Sequence, residues 1–127
     1  MQLWQTQWLE IQKIFPTKGL VALKAALLSK DPALIDCFFA LPENNNNVDA
    51  GWSESPCARG CAIGYTIWNG FDLVTCQEVS EKRYNILDDW SAMQDFVYWF
   101  DQSSPDERLE LVPLIDEELK LRDDVQA

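Results

Sequence analysis

Asn69-Gly70, set between the β-prone runs Cys61 to Trp68 and Phe71 to Val79, is the strongest local constraint on how this chain can fold. Asn-Gly suits the type I′ turn of a two-residue hairpin, because both residues accept positive φ and the turn's twist matches that of two antiparallel strands. The turn fixes a register: Trp68 faces Phe71, Ile67 faces Asp72, Tyr65 faces Val74 and Ile63 faces Cys76. Ile63, Tyr65, Ile67, Val74 and Cys76 then share one side, turned toward helices, while Trp68, Phe71 and Leu73 share the other. An antiparallel hairpin over residues 61–79 is therefore expected at the centre of an α+β fold. A two-stranded sheet is marginal alone, so helices must cover it or the preceding loop must add a strand.

The helices are read from apolar spacing. Trp4, Trp8, Ile11 and Phe15 recur at steps of four, three and four, and Pro16 closes that segment. Thr17 can cap a second helix with Leu20, Leu23 and Leu27 on one stripe and Val21 and Leu28 beside it. Asp31-Pro32 supplies a cap and a first-turn proline, which predicts a short third helix from Ala33 to Leu41, ended by Pro42. Asn85 can cap a longer helix carrying Ile86, Trp90, Met93, Val97 and Phe100, broadened by Phe96 and Trp99 and packed on the hairpin. Ser104-Pro105-Asp106-Glu107 is a capping box, and Leu109, Val112, Ile115 and Leu119 follow, with Pro113 expected to kink that last helix or split it in two. From Glu43 to Gly60 the periodicity vanishes, and Asn44 to Asn47 with Gly51, Pro56 and Gly60 reads as a long exposed loop. Trp52 inside it either folds back onto the core or serves as an interface anchor.

Absences bound the chemistry. The chain has no histidine, which removes Ser-His-Asp and Cys-His catalysis and every imidazole proton shuttle. No glycine-rich run ends in Gly-Lys-Ser/Thr, and Gly60-Cys-Ala-Ile-Gly64 has neither the spacing nor the strand-before-helix setting of a dinucleotide fingerprint. Asp88-Asp89 and Asp123-Asp124 lack the alternating ligands and glycine of a calcium loop. Neither catalysis nor a cofactor is expected. At 127 residues, 47% of them apolar, the chain can form one packed domain over 1–127. Its longest apolar runs are too short for a bilayer, and its start, Met1-Gln2-Leu3-Trp4, lacks the pattern of an export signal, so a cytoplasmic protein is expected.

The net charge of −11 is unevenly placed. Residues 1–60 hold five Lys and Arg against six Asp and Glu, a balance of −1; residues 61–127 hold five against fifteen, a balance of −10. Such a surface repels phosphate backbones and anionic lipid, so direct nucleic-acid or membrane binding is not expected. Asp88, Ser91, Asp95, Tyr98 and Gln102 fall on the outward face of the helix begun near Asn85, and Glu110 and Glu117 on that of the last helix. These are either solvated faces or a surface awaiting a basic partner, which would relieve the self-repulsion and be steered in quickly.

The resulting expectation is a small acidic binding protein of inhibitor, immunity, anti-factor or chaperone type. Its partner would be a protein with a basic surface, such as a nucleic-acid-binding protein or a toxin, met through Asp88, Asp95, Tyr98, Glu110 and Glu117, with Trp52 as an apolar anchor. Two alternatives stand beside it. One is a cysteine-centred site, either zinc held by Cys37, Cys57, Cys61 and Cys76 or a thiol pair formed by Cys57 and Cys61, although isolated Cys37 and Cys76 make a poor metal pattern and buried structural thiols account for it as well. In the hairpin register Cys61 would be only diagonal to Cys76, too far for an unstrained disulfide. The other is an assembly subunit using Trp52, Trp68 and Phe71 as hydrophobic contacts.

Overall fold

The computed structural model describes residues 1–43 and 51–126, the last three of these by backbone alone. It is built from six α-helices: α1 (Leu3–Ile11), α2 (Thr17–Ser29), α3 (Ala62–Gly70), α4 (Cys76–Ile86), α5 (Gln94–Gln102) and α6 (Leu111–Gln126). Single turns of tighter helix extend α1 over Gln12–Ile14, precede α5 over Trp90–Ala92 and precede α6 over Glu107–Glu110. No strand occurs among the described residues, so the α+β fold with a hairpin at 61–79 is overturned. Part of the expected loop from Glu43 to Gly60, residues 44–50 with the Asn44 to Asn47 run, lies outside the described residues.

α1 and α2 follow their apolar spacing. Trp4, Trp8, Ile11 and Phe15 are all buried, and so are Leu20, Leu23 and Leu27, while Val21 and Leu28 stay exposed. The helix α1 lies on α5 through aromatic faces: Trp4 stacks on Trp99 with ring centroids 3.6 Å apart, and Trp8 lies 4.6 Å from Phe96. Gln7 of α1 completes the joint. Its side-chain oxygen accepts the Phe96 backbone N–H (3.0 Å), one of the otherwise unpaired donors at the start of α5, and its amide donates to Asp95 (2.9 Å) and to the Ser91 carbonyl (3.1 Å).

The expected hairpin is replaced by α3, a connecting turn and α4. Gly70 is the last residue of α3, and the chain reverses after it: Leu73 N–H donates to the Trp68 carbonyl (3.1 Å) and Asp72 takes the left-handed conformation at φ 55°. Asn69 donates its side-chain amide back to the Tyr65 carbonyl one turn earlier (2.9 Å). The residues buried from α3 are Ala62, Ile63, Gly64, Thr66 and Ile67, a helical face rather than alternate positions. Backbone approaches this face closely: a Cβ on Gly64 would stand 1.6 Å from the Phe39 carbonyl oxygen, and Gly19 of α2 crosses Gly70.

Three further expectations are revised. Ala33 to Leu41 is not a helix, because its backbone groups pair with the segment before α3: Ile35 N–H donates to Gly60 (3.0 Å), Gly60 N–H to Ala33 (2.9 Å), and Leu41 and Arg59 exchange bonds at 2.9 and 3.0 Å. Asp31 caps only the Ala33 N–H (2.9 Å), and Cys37 sits at φ 71°, outside any helix. The helix expected from Asn85 is broken, since Asn85 belongs to the last turn of α4 and Leu87 takes φ −140° before Asp89 caps a new turn at Ser91 (3.0 Å). Pro113 does not kink α6; it occupies the first turn, where no backbone donor is needed, and the expected split falls just before it, between Glu107–Glu110 and Leu111.

Two capping boxes set the start of α4 and of the turn leading into α6. Glu78 accepts from the Thr75 and Val74 backbone N–H groups (2.8 and 3.2 Å), and Glu107 from that of Ser104 (2.9 Å). These bonds hold both carboxyls below the ordinary glutamate value of 4.5. A carboxyl depressed in the folded state adds stability that is present above its unfolded value and is lost as pH falls through the depressed one. The thermal midpoint is therefore expected to fall on acidification below pH 4.5. A Glu78→Gln/Glu107→Gln variant keeps acceptor oxygens that do not titrate, so its midpoint should fall less. Identical falls in circular-dichroism melts would remove the caps as the cause.

Candidate functional site

The second half of the chain is acidic, but much of that charge is already answered. Three lysines, Lys18 and Lys24 of α2 and Lys30 just after it, pair with Asp72, Asp116 and Asp106 respectively. Arg122 of α6 pairs with Glu118 (2.8 Å) and donates to the Gln12 carbonyl (3.0 Å), tying α6 to the α1–α2 joint. The three lysine pairs, exposed to water, add little stability, yet they decide where charge is left over.

It is left over around α5. Between Arg83 and Arg108 the sequence has no Lys or Arg but six carboxylates: Asp88, Asp89, Asp95, Asp101, Asp106 and Glu107. Asp88, Asp89, Asp95 and Asp101 form no ion pair among the described residues. Asp95 and Asp101 line an open groove of 320 Å³ together with Trp90, Gln94, Val97 and Tyr98. Trp90 is 52% and Tyr98 69% exposed, so two large rings stand in water beside unpaired carboxylates. One oxygen of each groove carboxylate is engaged, Asp95 by Gln7 and Asp101 by the Cys37 backbone N–H (3.0 Å); the second oxygen of each has no partner among the described residues. Asp101 also acts electrostatically on Arg108 without forming an ion pair with it.

Of the residues singled out in the sequence, the structure brings Asp95 and Tyr98 into this groove, with Asp88 two residues before its Trp90. Glu110 and Glu117 are exposed on the tight turn before α6 and on α6 itself, and they do not line it. Trp52 is half-buried against the core, and its indole N–H donates to the Ala40 carbonyl (2.9 Å), the folded-back arrangement. Trp90, expected on the buried stripe, is exposed instead, and Asp101 joins the groove without having been expected there. The spacing of Gln94, Tyr98 and Asp101, four and three residues apart, carries the signal for the latter.

The four cysteines do not gather, and no group of three or more cysteine, aspartate and glutamate side chains among the described residues could hold a metal ion. Cys37 is exposed, and the other three are buried. Cys61 caps the start of α3, where burial lifts its thiol to about 11 against the pull of the Gly64 and Ile63 amides. The Cys57 thiol donates to the Arg59 carbonyl (3.6 Å), and burial, reinforced by the nearby Cys76, pushes it up to about 12. The cysteine that acts electrostatically on Cys57 is thus Cys76 and not Cys61, the partner suggested by spacing.

A smaller cavity of 110 Å³ lies near Lys30, Asp31 and Arg108. Arg108 is buried over the Phe100 ring, 3.9 Å from its centroid, and donates through Nε and Nη2 to the Phe100 carbonyl (3.3 and 3.2 Å). That geometry locks the end of α5 to the turn before α6. No helix among the described residues is long and apolar enough to cross a membrane. Comparison of the chain with protein-family models, curated proteins and solved structures returns no match, so the groove beside α5 stands on its own geometry.

Proposed function

We propose that the chain is a small acidic binding protein that takes a basic segment of a partner protein into the groove beside α5. One observation carries this reading: the exposed rings of Trp90 and Tyr98 flank the unpaired carboxylates Asp95 and Asp101 in a stretch free of cations. A guanidinium or ammonium seated there meets both an aromatic face, worth about 0.5–2 kcal/mol, and a full negative charge. The surrounding field steers such a segment inward, and Asp88, Glu110 and Glu117 contribute to that field from outside the groove.

Calorimetric titration with a short peptide alternating arginine and glycine tests the reading. Affinity is expected to fall steeply as salt is raised, and Trp90→Ala, Tyr98→Ala and Asp95→Asn are each expected to weaken it by roughly threefold to thirtyfold. The asparagine keeps an oxygen for Gln7, so that variant isolates the charge. A Glu110→Gln/Glu117→Gln variant should slow association at low salt and leave dissociation nearly unchanged. Affinity unaffected by salt, or by the Trp90 and Asp95 changes together, would remove the groove as the binding surface.

A further inference from the structure

The groove beside α5 carries a repeat. Asp95, Tyr98 and Asp101 follow one another at three-residue intervals, all three line the groove, and α5 is unbroken from Gln94 to Gln102. The two carboxylates therefore stand six residues apart, about 9 Å along the axis at a rise of about 1.5 Å per residue, with Tyr98 midway between them. Trp90 adds a second ring from the turn before α5, and both rings are exposed. Three hydrogen-bond donors of the same groove are unused among the described residues: the Trp90 indole N–H, the Tyr98 hydroxyl and the Gln94 side-chain amide.

Each form of partner backbone sets its own spacing of side chains on one face. In an extended strand that spacing is about 6.7 Å or about 13 Å, for residues two or four apart. In a polyproline II helix, with three residues per turn and about 3.1 Å per residue, it is about 9.3 Å, for residues three apart. An α-helix offers about 10.5 Å, for residues seven apart, but its carbonyls are bonded internally and would leave the donors of the groove unmet. A strand also pairs through its backbone with a sheet edge, and no strand occurs among the described residues. Polyproline II has no internal hydrogen bonds, so its carbonyls are free for Trp90, Tyr98 and Gln94, and its proline rings suit exposed aromatic faces. Resting on the groove as a site for a basic segment, we propose that this segment is proline-rich, adopts polyproline II and carries two arginines three positions apart, one meeting Asp95 and the other Asp101 on either side of Tyr98. Arginine fits better than lysine because its flat guanidinium stacks on Trp90 or Tyr98 while donating to the carboxylate oxygen left free by Gln7 or by the Cys37 N–H.

Calorimetric titration of the full chain with four end-blocked peptides, each holding two arginines, tests this. The first is a proline peptide with its arginines three apart, the second a proline peptide with them two apart, the third the first with glycine in place of proline, and the fourth an alanine-rich helical peptide with them seven apart. The first should bind roughly tenfold tighter than any of the others. In the unaltered protein, removing one of its arginines should weaken it by roughly fivefold. In Asp101→Asn, which keeps an oxygen for the Cys37 N–H, the same removal should cost less than about twofold. Equal affinity at the two spacings, equal affinity with glycine in place of proline, or tighter binding of the helical peptide would each overturn the polyproline II assignment while leaving the groove a site for basic segments. If none of the four binds, the groove itself falls as the binding surface, and the assignment with it.

Discussion

Gly64→Ala is expected to destabilise the protein by at least about 3 kcal/mol, well above the usual effect of adding one methyl group. In an open helix the same change would be stabilising by about 1 kcal/mol, since alanine is the better helix former. Here the new Cβ would fall 1.6 Å from the Phe39 carbonyl oxygen and 2.5 Å from its carbon, both backbone atoms with no rotamer to yield. Gly70→Ala is the control. Its Cβ would meet Gly19 and Pro16 at 3.2 Å, a contact that a small shift relieves, so its cost should stay below about 1 kcal/mol. Urea unfolding measures both. If Gly64→Ala proves neutral or stabilising, Phe39 does not seat on α3 and the non-helical course of residues 33–41 is wrong.

The second large effect is expected at Trp8. It is fully buried between Phe15 and Phe96, where truncation to alanine removes the area that joins α1 to α5 and should cost about 3–5 kcal/mol. Trp8→Phe is expected to cost far less, below about 1.5 kcal/mol. The buried Trp8 indole N–H has no acceptor among the described residues, so phenylalanine removes an unmet donor along with some packing area. Equal losses in the two variants would mean that the N–H is engaged after all.

The comparison of sequence with structure turns on Ile63 and Ile67. Residues four apart share a face in a strand and in a helix alike, so these two, both fully buried, fit either. Ala62 and Thr66 discriminate: a strand would turn them away from Ile63, and the structure buries them beside it. Asn69-Gly70 suits a hairpin turn, but glycine also ends helices. Thr75-Cys76-Gln77-Glu78 has the spacing of a capping box and marks the start of α4 within the expected second strand. By contrast, α1, α2 and the Ser104 to Glu107 cap were legible, because each is set by neighbours in sequence.

The candidate site was half legible for the same reason. Asp95 and Tyr98 sit on an uninterrupted helix, where spacing gives the face correctly. The apolar stripe puts Trp90 inward only if one helix runs through Leu87 to Asp89, and there the chain leaves the helix and resets the face. The bridge between Pro56 and Thr75 had no local signature at all, since neither helical nor strand periodicity describes the two segments that form it.

The joint between α1 and α5 also bears on how the molecule comes into being at the ribosome. The partners of Trp4, Gln7 and Trp8 are Trp99, Asp95 and Phe96, close to ninety positions downstream. At roughly 5–20 residues per second of synthesis, the tryptophan face of α1 waits roughly 5–20 seconds for its cover. Throughout that interval the nascent chain carries an uncovered aromatic surface, and factors that shield emerging polypeptides would meet that surface before α5 does.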